Sequence, residues 1–539
     1  MLPLFVKEAL VACQKLYPAI AGHVYTYGTA GFRMDAELLD SIAYKIAFLS
    51  ILRSYCFKGA AIGIMITASH NPPKDNGVKV VETMGEMLTQ SWEQIATDLA
   101  NCGDDLIPLA EKLWDQFVTD EIYTPKVVIG RDTRQSGPEL MDICQLFLQN
   151  CKADCVNAGE VTTPQLHYLT RCLNDPSFGQ PTLLGYNQKL SSTVQKFLEL
   201  NGGKLARITI DCANGVGGTK LKDLVNGSEY LKEKWDVSVI NTNVEDPALL
   251  NVDCGADYVK TGQKLPANAA NELGKLGASF DGDADRVVFY FSDNNGFHLL
   301  DGDRIATLLA AFIDSLLQKL GGADELSLQM GIIQTAYANG ASTDYITHNL
   351  GLPVVCTKTG VKHLHHEAGR FDVGVYFEAN GHGTVLFSEK YMDVLQKFKP
   401  SKEQEPALAS LLLLVDLINQ TVGDSISDLF AVLVALSYLE QSPSAWFSAY
   451  EDLPNKLYKV IVKDRHAFVA TNAERELVRP EGLQGKINAT VAEIDSAKGR
   501  SFVRASGTED AVRVYSEASS VDKCHQLGDH VVKLVKEFC

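Results

Sequence analysis

The first long regular pattern lies at residues 37–52, ELLDSIAYKIAFLSIL, where Leu39, Ile42, Ala43, Ile46 and Leu49 recur at helical spacing. That spacing predicts an amphipathic helix. A wholly apolar run follows at 61–66 and breaks into Thr67-Ala68-Ser69-His70-Asn71-Pro72, which reads as a strand feeding a sharp polar loop. Further buried-strand runs are KVVIG at 126–130, RITID at 207–211, VVFYF after the aspartates at 281–285, IIQTAY at 332–337 and VGVYF at 373–377. The pattern at 303–319 is helical. Continuous apolar strands alternating with amphipathic helices predict α/β units whose parallel sheets are covered on both faces. Residues 396–406, QKFKPSKEQEP, are polar, contain two prolines and read as an exposed loop or a domain edge. From about residue 455 the units shorten (KLYKVIV, SFVRASGTE, AVRVYSEA) and end in a helix near 521–537, which predicts a smaller α+β domain.

At roughly 150 residues per domain, 539 residues suggest three or four domains. Hydrophobic residues at 46% and charged residues at 22% exclude a disordered or collagen-like chain. The balance of 49 basic against 67 acidic residues is a net charge of −18. Such an anion is a poor general binder of nucleic acid or anionic membrane, so any phosphate site must gather its basic residues locally. No run of about 18 apolar residues appears. The longest candidates, near 305–317 and 407–418, are broken by Asp314 and Asp416. The first residues lack a basic stretch and do not read as a signal peptide. Twelve cysteines are scattered from Cys13 to Cys539, and the close pair Cys151 and Cys155 has no partner pair at zinc spacing. They read as buried thiols of a reduced, cytoplasmic protein.

The most informative polar segment is Asp281-Gly282-Asp283-Ala284-Asp285-Arg286. Three carboxylates at alternate positions repel one another unless a cation neutralises them, and hard oxygen ligands favour Mg²⁺. A solvated acidic turn is the plainer alternative. An EF-hand is excluded, because Arg286 stands at the sixth position and Ser292 at the twelfth. Ser69 lies in a proline-closed loop without the G-x-S-x-G elbow of serine hydrolases. Two segments suit oxyanion binding: Tyr27-Gly28-Thr29-Ala30-Gly31-Phe32-Arg33, and Arg504-Ala505-Ser506-Gly507-Thr508-Glu509 with Arg513 beyond it. Glycine lets backbone N–H groups approach an anion, hydroxyls donate and arginine clamps. Arg131/Arg134 and Lys358/Lys362 are surface charge or help attract anions. Glu378-Ala379-Asn380-Gly381-His382 sets an acceptor and an amide in a glycine-rich turn able to read sugar hydroxyls.

Together, YGTAGFR, TASHNP, IGRDTR, DGDADR, EANGHG and RASGTE resemble the signatures of the α-D-phosphohexomutase family, across residues 27 to 513. The resemblance implies three similar α/β domains plus a smaller C-terminal α+β domain around a central cleft. The expected divisions are 1–190 for the phosphoserine loop, 191–300 for the metal, 301–450 for the sugar and 451–539 for phosphate. IGRDTR follows the Ser69 loop here, whereas it precedes that loop in glucose and mannose relatives. This order, with Glu378-Ala379-Asn380 in place of Glu-x-Ser, is similar to the branch acting on N-acetylglucosamine phosphates. The phosphate loop departs from many relatives in carrying Ala505 where they have proline, which frees φ without removing a donor.

The resemblance implies reversible exchange of the 6- and 1-phosphates through phospho-Ser69 and a 1,6-bisphosphate, which also serves as activator. Arg33, His70 and Lys79 would line the phosphoserine loop, with Lys79 the first candidate for proton transfer and His70 the second. Ser69, Asp281, Asp283 and Asp285 would hold one Mg²⁺. Glu378, Ala379 and Asn380 would read the sugar, and Arg504, Ala505, Ser506, Gly507, Thr508 and Arg513 the non-reacting phosphate. The expected partner is a small phosphosugar, with no nucleic acid or membrane, and the expected state is a cytoplasmic monomer. The rivals are a glucose or mannose phosphomutase, a silent sugar-phosphate binder, and a phosphatase using the aspartates.

Overall fold

A computed structural model describes residues 1–539 apart from 29, 120–122 and 507–509. It divides into two compact units: Met1–Asp301 with Ala409–Pro443, and Gly302–Leu408 with Ser444–Cys539. Among the described residues no helix is long and apolar enough to cross a membrane.

The first unit contains two five-stranded sheets. One comprises β1 (Phe32–Asp35), β2 (Ala61–Ile66), β3 (Asp75–Val81), β4 (Lys126–Arg131) and β5 (Asp154–Glu160), in the order β1-β3-β2-β4-β5. The helix Asp40–Cys56 packs on it and is buried continuously from Ser41 to Ser54, not along a single stripe. Its polar residues tolerate this because each finds a partner. Lys45 donates to the Ala100 carbonyl at 2.9 Å, and Arg53 pairs with Glu82 at 2.8 Å. The second sheet comprises β6 (Ile208–Asp211), β7 (Val237–Ile240), β8 (Leu276–Phe280), β9 (Val287–Asp293) and β10 (Gly296–Leu300), in the order β10-β9-β8-β6-β7.

The second unit holds β11 (Met330–Thr335), β12 (Val354–Thr357), β13 (Val373–Phe377) and β14 (Gly383–Phe387), in the order β12-β11-β13-β14. The strand expected at 332–337 is β11, and Ala336 and Tyr337 turn out of the sheet. Its C-terminal part pairs β15 (Asn455–Ile461), β18 (Arg500–Ala505) and β19 (Ala511–Glu517) antiparallel, in the order β15-β19-β18. A small hairpin joins β16 (Val469–Thr471) and β17 (Glu476–Arg479). The helices Leu483–Asp495 and Val521–Glu537 share an apolar core with one face of the three-stranded sheet.

The first three sheets are mixed, not parallel as the apolar runs suggested. β3 runs antiparallel to β2, β9 to β8 and β14 to β13. A strand buried on both faces has the same apolar composition whichever way its neighbour runs. The connections decide the direction. Residues 67–74, 281–286, 378–382 and 506–510 each link two adjacent antiparallel strands. These links are far shorter than the dozen or more residues that a parallel crossover requires. They also carry four of the segments that the sequence marks for their chemistry.

Candidate active site

Ser69 sits in the β2–β3 link with φ +51°, a left-handed conformation costly for a residue with a Cβ. It is buried, and its Oγ donates to Asp281 Oδ2 at 2.6 Å while its N–H donates to Thr67 Oγ1 at 3.0 Å. The strained loop is held by its carbonyls. Arg134 Nη1 donates to the Pro72 and Asp75 carbonyls, both at 2.7 Å, and Nη2 to those of Ser69 and Asn71, both at 2.9 Å. Arg134 Nε contacts Asp132 Oδ2 at 3.2 Å, and both side chains are fully buried. Asn251 Nδ2 adds a second donor to the Ser69 carbonyl at 2.9 Å. The aspartate loop passes so close that a Cβ on Gly282 would lie 2.6 Å from that carbonyl oxygen.

Asp281, Asp283 and Asp285 are buried, with a ligand oxygen from each lying within 4.8 Å of the others. Burial, then repulsion from Asp285 and Asp283, pushes Asp281 well above the ordinary carboxylate range. Asp281 Oδ1 accepts the N–H groups of Asp285 at 3.0 Å and Arg286 at 3.2 Å, which curls the loop inward. Asp283 Oδ2 accepts from Thr163 Oγ1 at 2.6 Å, and its Oδ1 has no hydrogen-bond partner among the described residues. Arg286 lies 3.7 Å from Asp285 and 3.9 Å from Asp281, but its closest carboxylate is Asp257 at 3.0 Å. A buried carboxylate oxygen with no donor, in an all-oxygen cluster short of positive charge, fits a hard divalent cation. The loop is buttressed from below: Ser425, which opens the helix Ser425–Tyr438, donates its N–H to the Ala284 carbonyl at 3.1 Å and its Oγ to the Arg286 carbonyl at 2.6 Å.

His70 Nδ1 lies 3.4 Å from both Ser69 Oγ and Asp257 Oδ2. Burial, then the Arg286 charge, pushes the imidazole down to about 4, so it is neutral near pH 7. Arg33 on β1 lies opposite Gly77, with Nη1 3.5 Å from Asn71 Oδ1. Burial, then the Arg286 charge, pulls Arg33 below its ordinary value. Lys79 is buried in β3 opposite Met65, beneath Gly31, where a Cβ would lie 2.6 Å from the lysine's own Cβ. It is outside the hydrogen-bonded cluster around Ser69 just described.

In the second unit, the β13–β14 turn locks Glu378 and Asn380 together. Glu378 N–H donates to the His382 carbonyl at 2.9 Å, and His382 N–H to Asn380 Oδ1 at 3.0 Å. Glu378 Oε1 also accepts from Gly360 N–H at 3.2 Å, and Ala379 lies between the two polar groups. Arg504 on β18 is directly opposite Arg513 on β19, and Lys459 on β15 is opposite Arg513 on its other side. Residues facing one another across strands share a face, so three cationic side chains form one row. Arg504 Nε is held by Glu474 Oε1 at 2.8 Å. Ser506 N–H donates to the Ala511 carbonyl at 2.8 Å, and Ala505 packs against the domain core. Gly507 and Thr508, like Thr29, lie outside the described residues.

Family models match along most of the chain. Phosphoacetylglucosamine mutase AMG1 domain II matches residues 182–288 and its domain III matches 301–441. The phosphoglucomutase/phosphomannomutase α/β/α domain I matches 39–104 and 112–178, and the C-terminal domain of that family 457–534. The phosphoacetylglucosamine mutase of Candida albicans is 49% identical over 96% of this chain and 98% of its own length. The chain belongs to the phosphoacetylglucosamine mutases. It is an enzyme, an isomerase of the α-D-phosphohexomutase superfamily, with that superfamily's four-domain architecture. Among solved structures, Aspergillus fumigatus N-acetylphosphoglucosamine mutase in complex with GlcNAc-6P and magnesium has TM-score 0.94 and 46% identity, covering 100% of this chain and 99% of that one. The S69A form of the Aspergillus protein in complex with glucose 1,6-bisphosphate has TM-score 0.93 and 45% identity, covering 99% of each chain.

Within this mutase, the structure gathers Ser69, His70, Arg33 and the three aspartates in the first unit. It gathers Glu378, Ala379, Asn380, Arg504, Ala505, Ser506 and Arg513 in the second. Sequence reasoning missed several supporting residues. Arg134 read as surface charge or as a residue attracting anions, yet it is fully buried and holds the Ser69 loop. Asn251, Asp257, Lys459 and Glu474 lie in no motif. Only Lys459 left a signal, as a basic residue in a strand next to the arginine-bearing one.

Proposed function

We propose that Ser69 carries the phosphoryl group that this mutase moves between the 6- and 1-positions of N-acetylglucosamine phosphate. The observation that carries the reading is the 2.6 Å contact of Ser69 Oγ with Asp281 inside a buried aspartate triad. Phospho-Ser69 gives its phosphoryl group to the free sugar hydroxyl: the Oγ–P bond breaks, a sugar O–P bond forms, the hydroxyl proton passes to a protein base, and the departing Ser69 Oγ takes up a proton to return as a hydroxyl. The resulting 1,6-bisphosphate reorients, and Ser69 Oγ takes the other phosphoryl group. The same bisphosphate, supplied from outside, primes a dephosphorylated enzyme.

Asp281, Asp283, Asp285 and Ser69 would hold one Mg²⁺, whose charge makes it less costly to gather phosphoryl oxygens beside three carboxylates. The protein's own residues do the positioning. Arg134 and Asn251 hold the strained Ser69 loop. Arg33 faces the developing phosphoryl charge. Lys79, buried in β3, and His70, neutral and 3.4 Å from Ser69 Oγ, are the candidates to accept the hydroxyl proton. Glu378, Ala379 and Asn380 read the sugar in either orientation. Arg504, Arg513 and the 505–508 loop grip whichever phosphate is not reacting. The work divides over residues 1–190, 191–300, 301–450 and 451–539. The reading takes the chain as a cytoplasmic monomer acting on a small phosphosugar; its twelve cysteines, all free, suit a reducing compartment.

The test is phosphorus NMR with Mg²⁺, a trace of bisphosphate, and N-acetylglucosamine, glucose or mannose 6-phosphate. A 1-phosphate signal strongest from the acetylated sugar in wild type, and absent in folded Ser69→Ala, is the expected result. Turnover by Ser69→Ala would sink the phosphoserine role, and a stronger glucose or mannose signal would sink the substrate assignment.

A further inference from the structure

Glu474 stands in the turn between β16 and β17, outside every segment that the sequence singles out. Asn472, Ala473 and Glu474 have φ values of +49°, +55° and +67°. Three successive residues with side chains in the left-handed region are costly and need outside support. Glu474 supplies it, because both of its oxygens are engaged. Oε1 accepts from Arg504 Nε at 2.8 Å, and Oε2 accepts from the Thr359 N–H at 2.9 Å. Burial opposes the charge, but Thr359 and Arg504 hold the Glu474 carboxyl below its ordinary range. The next N–H along, that of Gly360, donates to Glu378 Oε1 at 3.2 Å. One carboxylate therefore joins an arginine of the phosphate grip to the two-residue backbone that fixes the sugar-reading glutamate.

We infer that Glu474 is a positioning residue for the mutase reaction: it orients Arg504 toward phosphate and sets the spacing between that grip and Glu378. The inference rests on the phosphate-grip reading of Arg504 above. Glu474 holds Arg504 through Nε and Tyr337 also meets the guanidinium, so the group is fixed in orientation, and its planar fork suits a phosphate. A fixed spacing is what this reaction requires. The bisphosphate must be gripped by one phosphate and read at its ring in either orientation, so the grip and the reader must hold station while the ligand turns. The strained turn is the structural cost of holding a carboxylate at that point.

The experiment compares wild type, Glu474→Gln, Glu474→Ala, Arg504→Ala and the Glu474→Ala/Arg504→Ala double variant for KM, kcat and thermal midpoint on N-acetylglucosamine 6-phosphate. Glu474→Ala is expected to raise KM about tenfold with kcat within about twofold, as loss of an interaction made equally in ground and transition states does. Glu474→Gln should fall between, since its amide oxygen still accepts from Thr359. Adding Glu474→Ala to Arg504→Ala should change KM little further, because the two act as one unit. An unchanged or lowered KM in Glu474→Ala, beside a raised KM in Arg504→Ala, overturns the inference and leaves the phosphate grip standing. Effects that multiply in the double variant also overturn it. An unchanged KM in Arg504→Ala removes the grip itself and the inference with it. Should Glu474→Ala fail to fold, the KM of Glu474→Gln decides by the same comparison.

Discussion

Arg504 of β18 stands directly opposite Arg513 of β19. Like charges paired across strands are destabilising, and here Lys459 extends the row. Glu474 offsets part of that charge at Arg504, and a bound anion would offset more. Inorganic phosphate is therefore expected to raise the thermal midpoint of the wild-type protein, since it binds the folded state alone. Arg513→Ala should raise KM about tenfold, with little change in kcat, and blunt the phosphate-induced shift. Scanning fluorimetry over a phosphate series, beside steady-state kinetics, checks both. A full phosphate shift in the variant would count against the grip.

Asp283 presents one oxygen to two threonine hydroxyls and leaves the other without a donor. Asp283→Asn removes one of the buried carboxylates whose repulsion helps push Asp281 up. The variant should lose turnover by about 100-fold or more, yet melt higher than wild type when no metal is present. Added Mg²⁺ should stabilise wild type and not the variant. A metal-free midpoint lower than wild type would show that the aspartates are not held together against repulsion.

Arg134 satisfies four carbonyls of the Ser69 loop and pairs with buried Asp132. Arg134→Ala leaves that carboxylate uncompensated, so a loss of about 3–5 kcal/mol is expected. Arg134→Lys keeps the charge but not the fork, and should lose activity with a smaller loss of stability. Urea unfolding alongside turnover separates the two. Near wild-type activity in the lysine variant would mean that the loop holds its shape without the fork.

Asp495 ends the helix Leu483–Asp495 and is 5% exposed. Hydrogen bonds from Ser519, including its N–H at 2.7 Å, and then the Lys498 N–H, hold its carboxyl down to about 2. The folded value lies below the unfolded one, near 3.9, so the unfolded chain binds the proton first as pH falls. The stability that Asp495 contributes, about 2 kcal/mol, is fully present above about pH 4 and is lost toward about pH 2. Asp495→Asn should therefore be less stable than wild type at pH 7, and the gap should close in acid. Urea midpoints for both proteins at several pH values test this. A constant gap across that range would mean that the charge is not what matters.

Much of the chemistry was legible in the chain itself. Alternating aspartates at 281, 283 and 285, a serine in a proline-closed loop and glycine-spaced arginines carry their meaning in residue type and spacing, because close-range chemistry needs those groups adjacent. The existence and type of most strands and helices followed from periodicity for the same local reason. Strand direction did not, since a strand buried on both faces reads alike beside a parallel or an antiparallel neighbour. Nor did the supports of the site. Arg134 lies 65 residues from the Ser69 carbonyl it holds, Asn251 lies 182 away, and Glu474 lies 30 from Arg504. Arg134 resembles a surface charge until folding excludes water around it, and His70 is an ordinary imidazole until burial and Arg286 surround it. The sequence alone determined which groups are the candidates for the chemistry. Only the tertiary structure decided which residues hold them and in what state of charge, because burial and long-range hydrogen bonds exist only once distant segments have met.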